Sequence, residues 1–155
     1  MKKSLAIFLL VALFFATACA AENNLSDKGE LSDMKISIQI TSDSGKHTLT
    51  ATLADNFSAR AFYELLKKGQ VIIKLNEYGG FEKVGSLGTS LPRSDSQTAT
   101  EAGDIMLYQG NQITIFYNNN SWSYTRLGKV DGVTQAELKK ILGKGDVTAV
   151  FEILE

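Results

Sequence analysis

The stretch Gly103–Val130, GDIMLYQGNQITIFYNNNSWSYTRLGKV, decides the fold. Ile105 and Leu107 alternate with Met106 and Tyr108. Beyond Gly110-Asn111, Ile113, Ile115 and Tyr117 alternate with Thr114 and Phe116. Period-2 apolar runs joined at a glycine-asparagine turn predict a β-hairpin. Bulky side chains occupy both faces of the hairpin, so core covers one face and something covers part of the other. After Asn118-Asn119-Asn120, a third strand, Ser121–Leu127, places Trp122, Tyr124 and Arg126 on one face and Ser123, Thr125 and Leu127 on the opposite one, subject to any bulge.

Upstream, Ile36, Ile38 and Ile40 alternate with polar neighbours. A turn at Asp43-Ser44-Gly45 follows, and His47, Leu49, Ala51 and Leu53 alternate with Lys46 and three threonines. Residues 35–53 therefore read as another hairpin. The period then changes. Phe57, Ala61 and Leu65 fall at i, i+4 and i+8, with Phe62 and Leu66 beside them, which predicts a helix over Asn56–Lys68 that hides its phenylalanines against a sheet. Asp55 or Asn56 caps its start, and Gly69 stops it. Val71–Leu75 reads as a short strand. Residues 76–101, rich in glycine, serine and threonine, read as a long connection with one short strand around Phe81–Val84, and connections of that length are commonly functional. Thr134-Gln135-Ala136-Glu137 is a capping box that opens a short helix with Leu138, Ile141 and Leu142 inward and Gly143 as its stop. Asp146–Leu154 is a closing apolar strand. Mainly β with two short helices, this pattern predicts a closed antiparallel β-barrel.

The N-terminal residues have a different purpose. Lys2 and Lys3 precede an uninterrupted apolar run, Leu5–Phe15, and the small-residue stretch Ala16-Thr17-Ala18. Residues 1–18 thus read as an export signal, too short in its uncharged part for the ~20 residues of a membrane span. Cys19, the single cysteine, follows directly and resembles a lipobox cysteine, whose acylation would anchor the chain to a membrane. The alternative is ordinary cleavage nearby and a soluble periplasmic or secreted protein. Residues 19–34 are polar and read as a flexible tether with a reach of about 20 Å, and residues 35–155 form one domain.

The chain carries 16 basic and 17 acidic residues. Without residues 1–18 the balance is 14 against 17, which leaves no polycation for nucleic acid. His47, the single histidine, reads as a sheet residue. With one histidine and one cysteine no metal site is expected, nor does any pattern call for a cofactor or a catalytic residue. Glu101 and Asp104 could pair over a cation, although Asp104 after Gly103 is more simply a turn residue accepting backbone N–H groups.

The order of elements, with Ala51-Thr52-Leu53-Ala54-Asp55-Asn56, Glu82-Lys83, Gly103-Asp104-Ile105, Ile115-Phe116-Tyr117 and Ser123-Tyr124-Thr125-Arg126-Leu127-Gly128, resembles the small bacterial cyclophilin-like proteins over residues 35–154. The resemblance implies a barrel of about eight strands with a helix near each end. The Phe-His-Arg and Gln-Gly-Gly-Asp motifs of true prolyl isomerases are missing, and fold alone does not carry activity across.

The expected function is accordingly a non-catalytic module at the cell envelope, lipid-anchored through Cys19. It would bind a peptide, protein or small ligand at Phe116, Trp122, Tyr124 and Arg126. A prolyl isomerase with Arg126 over an apolar pocket and a purely structural envelope protein are the alternatives. Arg126 could equally stack on its aromatic neighbours.

Overall fold

In a computed structural model of the chain, the residues described are 34–154. The expected export signal, Cys19 and nearly all of the tether lie outside them. Nine strands and two helices follow in the order β1 (Lys35–Ser42), β2 (Gly45–Leu53), α1 (Phe57–Lys67), β3 (Val71–Tyr78), β4 (Glu82–Ser86), β5 (Ser96–Thr100), β6 (Asp104–Tyr108), β7 (Gln112–Phe116), β8 (Asn120–Val130), α2 (Gln135–Leu142) and β9 (Val147–Ile153).

Eight strands pair antiparallel in a closed ring, β2-β1-β9-β3-β4-β7-β6-β8, as the alternating patterns predict. The last seam returns from β8 to β2 through Ala51↔Val130, Thr52↔Lys129 and Leu53↔Gly128. Gly128 makes that seam possible, because a Cβ there would stand 2.5 Å from the Thr52 carbonyl oxygen. The interior is filled by the inward-facing residues, among them Ile36, Ile38, Ile40, Leu75, Ile105, Leu107, Ile113, Ile115 and Phe151, all at most 0% exposed. The predicted faces of the Gly103–Val130 hairpin hold: Ile105, Leu107, Ile113 and Ile115 join the ring core, while Met106 and Phe116 join a second cluster outside it.

Both helices have the caps that the sequence specifies. The Asn56 side chain accepts from the Ala59 N–H at 2.8 Å, and Thr134 and Glu137 form the reciprocal capping box. The buried stripe of α1 differs from the expected one. Ser58, Ala59, Phe62 and Leu66 face the core, with Phe62 edge-on to Phe151 at 5.7 Å, while Phe57 is 82% exposed. Both phase choices are apolar, so the competition is settled by the tertiary fit. The Ser58 hydroxyl donates to the Pro92 carbonyl, which turns that side of the first turn inward.

The stretch 76–101 differs more. β4, at Glu82–Ser86, is the short strand expected there, but β3 runs on to Tyr78 and β5 forms where no strand pattern is present. β5, SQTAT, has no apolar alternation because it pairs only with the first half of β8, at the margin of the ring, and of its residues only Thr100 is buried. β8 likewise begins at Asn120, inside the presumed asparagine turn. It also carries a bulge: Ile105 pairs with Gly128 but Met106 pairs with Arg126, leaving Leu127 as the extra residue.

Candidate functional site

The second cluster is the floor of a pocket on the outer wall of the ring. By register, Tyr78 lies opposite Glu82, Glu82 opposite Phe116, and Val84 opposite Thr114, so these side chains share the outward face of β3, β4 and β7. Met106 and Tyr108 continue that face on β6. The ribbon of β5 and β8 adds Asn120, Trp122 and Tyr124 from the side.

Five rings run in contact across this face. Tyr78 meets Phe81 edge-on at 5.8 Å, Phe81 stacks on Phe116 at 6.3 Å, Phe116 meets Tyr124 at 5.3 Å, and Tyr124 meets Tyr108 at 6.0 Å. Edge-to-face and offset contacts of this kind are favoured by the ring quadrupoles. Phe116 and Tyr124 are buried, whereas Tyr78 and Trp122 at the rim are 60% and 58% exposed. Between them lies a cavity of about 430 Å³ lined by Tyr78, Phe81, Glu82, Val84, Tyr108, Gln112, Asn120, Trp122 and Tyr124. The Gly79-Gly80 turn places Phe81 over this floor. Both glycines have positive φ, and a Cβ on Gly79 would sit 2.2 Å from the Phe81 ring.

Glu82 is the anomaly of the site. The residue is 5% exposed, and Oε2 is buried with no hydrogen-bond partner. Burial among rings pushes its carboxyl up to about 7, with the nearby Glu77 charge adding to the rise. The Thr114 hydroxyl, diagonally across the same face, is also buried without a partner. Tyr124 is pushed up to about 12 by burial and by the Glu82 charge, and its hydroxyl accepts from the Asn120 amide at 3.0 Å.

The residues expected from the sequence divide here. Trp122 and Tyr124 line the pocket, and Phe116 lies beneath it. Arg126 turns away into a separate groove with Asn56, Pro92 and Ser94, where its guanidinium donates to Asp104 Oδ1 at 2.8 Å. Asp104 is 3% exposed in its side chain and also accepts from the Glu101 N–H at 3.0 Å, the turn role expected of it. Burial alone would raise its carboxyl, but Arg126, the Glu101 amide and Lys129 together hold it below the usual carboxylate range. His47 is paired to the Ser44 hydroxyl at 3.0 Å in the first hairpin. Sequence reasoning missed Tyr78, Phe81, Glu82 and Tyr108. A signal was present, since Tyr78, Phe81 and Glu82 flank a Gly-Gly turn, but only the pairing of β4 with β7 brings them to the aromatic strand.

A larger groove of about 750 Å³ lies at one end of the ring, lined by Asp43, Ser44, Glu77, Tyr117, Lys139, Lys140, Gly143 and Lys144. Its buried polar groups are satisfied. Lys83, wholly buried and pointing to the other side of β4 from Glu82, donates to Glu77 at 2.7 Å and to the Gly143 and Gly145 carbonyls at 3.2 and 2.6 Å. Tyr117 donates to the other Glu77 oxygen at 2.5 Å. Burial would raise Glu77, but Lys83 and Tyr117 bring it below its ordinary value. This cluster closes the ring end and leaves no valence unspent.

A sequence model of the cyclophilin-like family matches residues 42–152. Among solved structures, the solution structure of the hypothetical protein AF2241 from Archaeoglobus fulgidus is similar, with a TM-score of 0.57 and 14% identity over 79% of this chain and 96% of that one. That likeness is one of fold. No curated protein matches the sequence.

Proposed function

We propose, from the premise that this chain belongs to the cyclophilin-like family, that it is a non-catalytic binding module whose outward aromatic pocket takes a group from a peptide or small ligand. The observation that carries this reading is the pocket itself. Four of the five contacting rings and the exposed Trp122 line a cavity of about 430 Å³, Phe116 lies beneath it, and the lining includes Glu82, whose buried Oε2 has no hydrogen-bond partner. Mostly apolar concavities with a few converging polar groups are the usual form of small-ligand sites. We place the module at the outer side of a membrane, held through an acylated Cys19. The order of basic, apolar and small residues before that cysteine supports this address. Arg126 lies outside the aromatic pocket with its guanidinium engaged by Asp104, which speaks against its acting there as the donor of a prolyl isomerase.

The test is a screen of aromatic fragments and short peptides, read by the emission of Trp122, the chain's single tryptophan. Ligands of the pocket shift that emission and lose affinity in Tyr124→Ala. A screen in which no ligand perturbs Trp122 would remove the binding proposal.

A further inference from the structure

We propose that the pocket is built to receive a protonated amine, with Glu82 Oε2 accepting from the ammonium group and the surrounding rings holding its carbon chain. This rests on the reading of that face as a binding site and names the chemistry that it selects.

Three acidic or basic side chains are buried among the described residues: Glu82, Lys83 and Asp104. Lys83 has three acceptors, and Asp104 has Arg126 and a backbone amide. Glu82 Oε2 has none. A buried acceptor left unmade is destabilising, and Glu82 lines the cavity, so a donor that arrives with the ligand best accounts for the unpaired oxygen. No lysine or arginine lines the pocket, and Lys83 points away from it, so none of the described residues supplies it with a cation. Aromatic rings attract a positive charge placed over their faces, and five rings line the cavity: Tyr78, Phe81, Tyr108, Trp122 and Tyr124.

The competing ligand classes fit less well. An anion would meet Glu82 and, behind it, the Glu77 charge that already opposes its ionisation. A divalent metal ion needs several oxygen ligands, and Glu82 is the only acidic residue of the lining. A neutral apolar group would fill the cavity and leave Oε2 unpaired.

The geometry also gives a pH dependence. Around Glu82 stand Glu77 and Tyr78 from β3, Tyr108 from β6, Tyr117 beyond β7 and Tyr124 from β8. Glu77 is held below its ordinary value, while Tyr117 and Tyr124 are held above theirs. Affinity for an amine therefore rises with pH as Glu82 ionises, until the amine itself loses its proton.

The experiment titrates the purified full chain with phenethylamine, with its neutral isostere 2-phenylethanol and with the anion 3-phenylpropionate, at about pH 8. Trp122 emission and amide chemical shifts report binding. Phenethylamine is expected to bind with Kd of order 1 mM, about tenfold tighter than the alcohol, and the anion more weakly than either. Glu82→Gln, with its fold verified by the amide spectrum, should bind amine and alcohol alike. Should that variant fail to fold, the wild-type preference for the amine must still shrink between about pH 8 and pH 5, where Glu82 becomes protonated. Nα-acetyl-lysine amide in parallel separates a peptide lysine from a free small amine: the tighter of the two names the source. Equal binding of amine and alcohol by the wild type, or a preference that survives in Glu82→Gln, overturns the inference and leaves the binding module intact. Failure of all ring compounds to perturb Trp122 overturns both.

Discussion

Replacing Glu82 by glutamine should make the protein more stable at neutral pH, and by an amount that depends on pH in a defined window. The folded chain holds the Glu82 proton up to about pH 7, whereas the unfolded chain releases it near the ordinary value of 4.5. Between these two values the folded state binds more protons than the unfolded one, so stability falls as pH rises, and the loss is complete above the folded value. The gap, at 1.36 kcal/mol for each pH unit, corresponds to about 3 kcal/mol, of which about 2.5 kcal/mol falls between pH 5 and pH 8. Urea unfolding of wild type and Glu82→Gln at those two pH values isolates the term, because every other titrating group cancels in the difference between the proteins. Glu77 and Asp104, held low, act in the opposite sense and below this window, since their stabilisation is lost on acidification. The expected result is a wild type that loses about 2.5 kcal/mol more than the variant on going to pH 8. Two proteins that change in parallel, within about 0.5 kcal/mol, would refute the claim that Glu82 is buried without a partner.

At the ring end, Glu77→Gln leaves the Lys83 ammonium buried without its counter-charge and should lower unfolding free energy by about 3 kcal/mol in denaturant titrations. Gly128→Ala drives a methyl group into the Thr52 carbonyl at the closing seam, and a loss of about 2 kcal/mol or more is expected in the same assay. In α1, Phe62→Ala should cost about 3–5 kcal/mol while Phe57→Ser changes stability by less than about 0.5 kcal/mol, a contrast that thermal melts resolve easily. Mass spectrometry of the mature N-terminus should find a doubly or triply acylated Cys19, and an unmodified chain starting at or after that position would remove the anchor.

The strands that line the ring were legible because each has one face in the core, which enforces period-2 alternation. Ile36, Ile38 and Ile40, or Ile113 and Ile115, leave little choice of register. Caps were legible for the same local reason, as Asn56 and Thr134 act within one turn of themselves. β5 was not, because a margin strand buries almost nothing and its polar residues satisfy only hydrogen bonding to β8. The phase of α1 was ambiguous because two neighbouring apolar stripes exist and tertiary fit selects between them. Of the site, Phe116, Trp122 and Tyr124 could be read from one contiguous aromatic run. Glu82 could not, since its sequence neighbours are Phe81 and Lys83, and its isolation arises only when β4 turns Glu82 outward beneath the rings and Lys83 inward to the ring end.

Because the ring interior is filled with side chains, the proposed pocket sits on the outer wall, between rim residues that are more than half exposed. Entry needs no lid to open and exit none to wait for. With association of order 10⁶ M⁻¹s⁻¹ and Kd of order 1 mM, an occupant would leave within about a millisecond. Occupancy would then follow the surrounding concentration almost instantly. A wall pocket with that turnover monitors its ligand rather than storing it, and slow release would have to come from a second point of attachment on a longer partner.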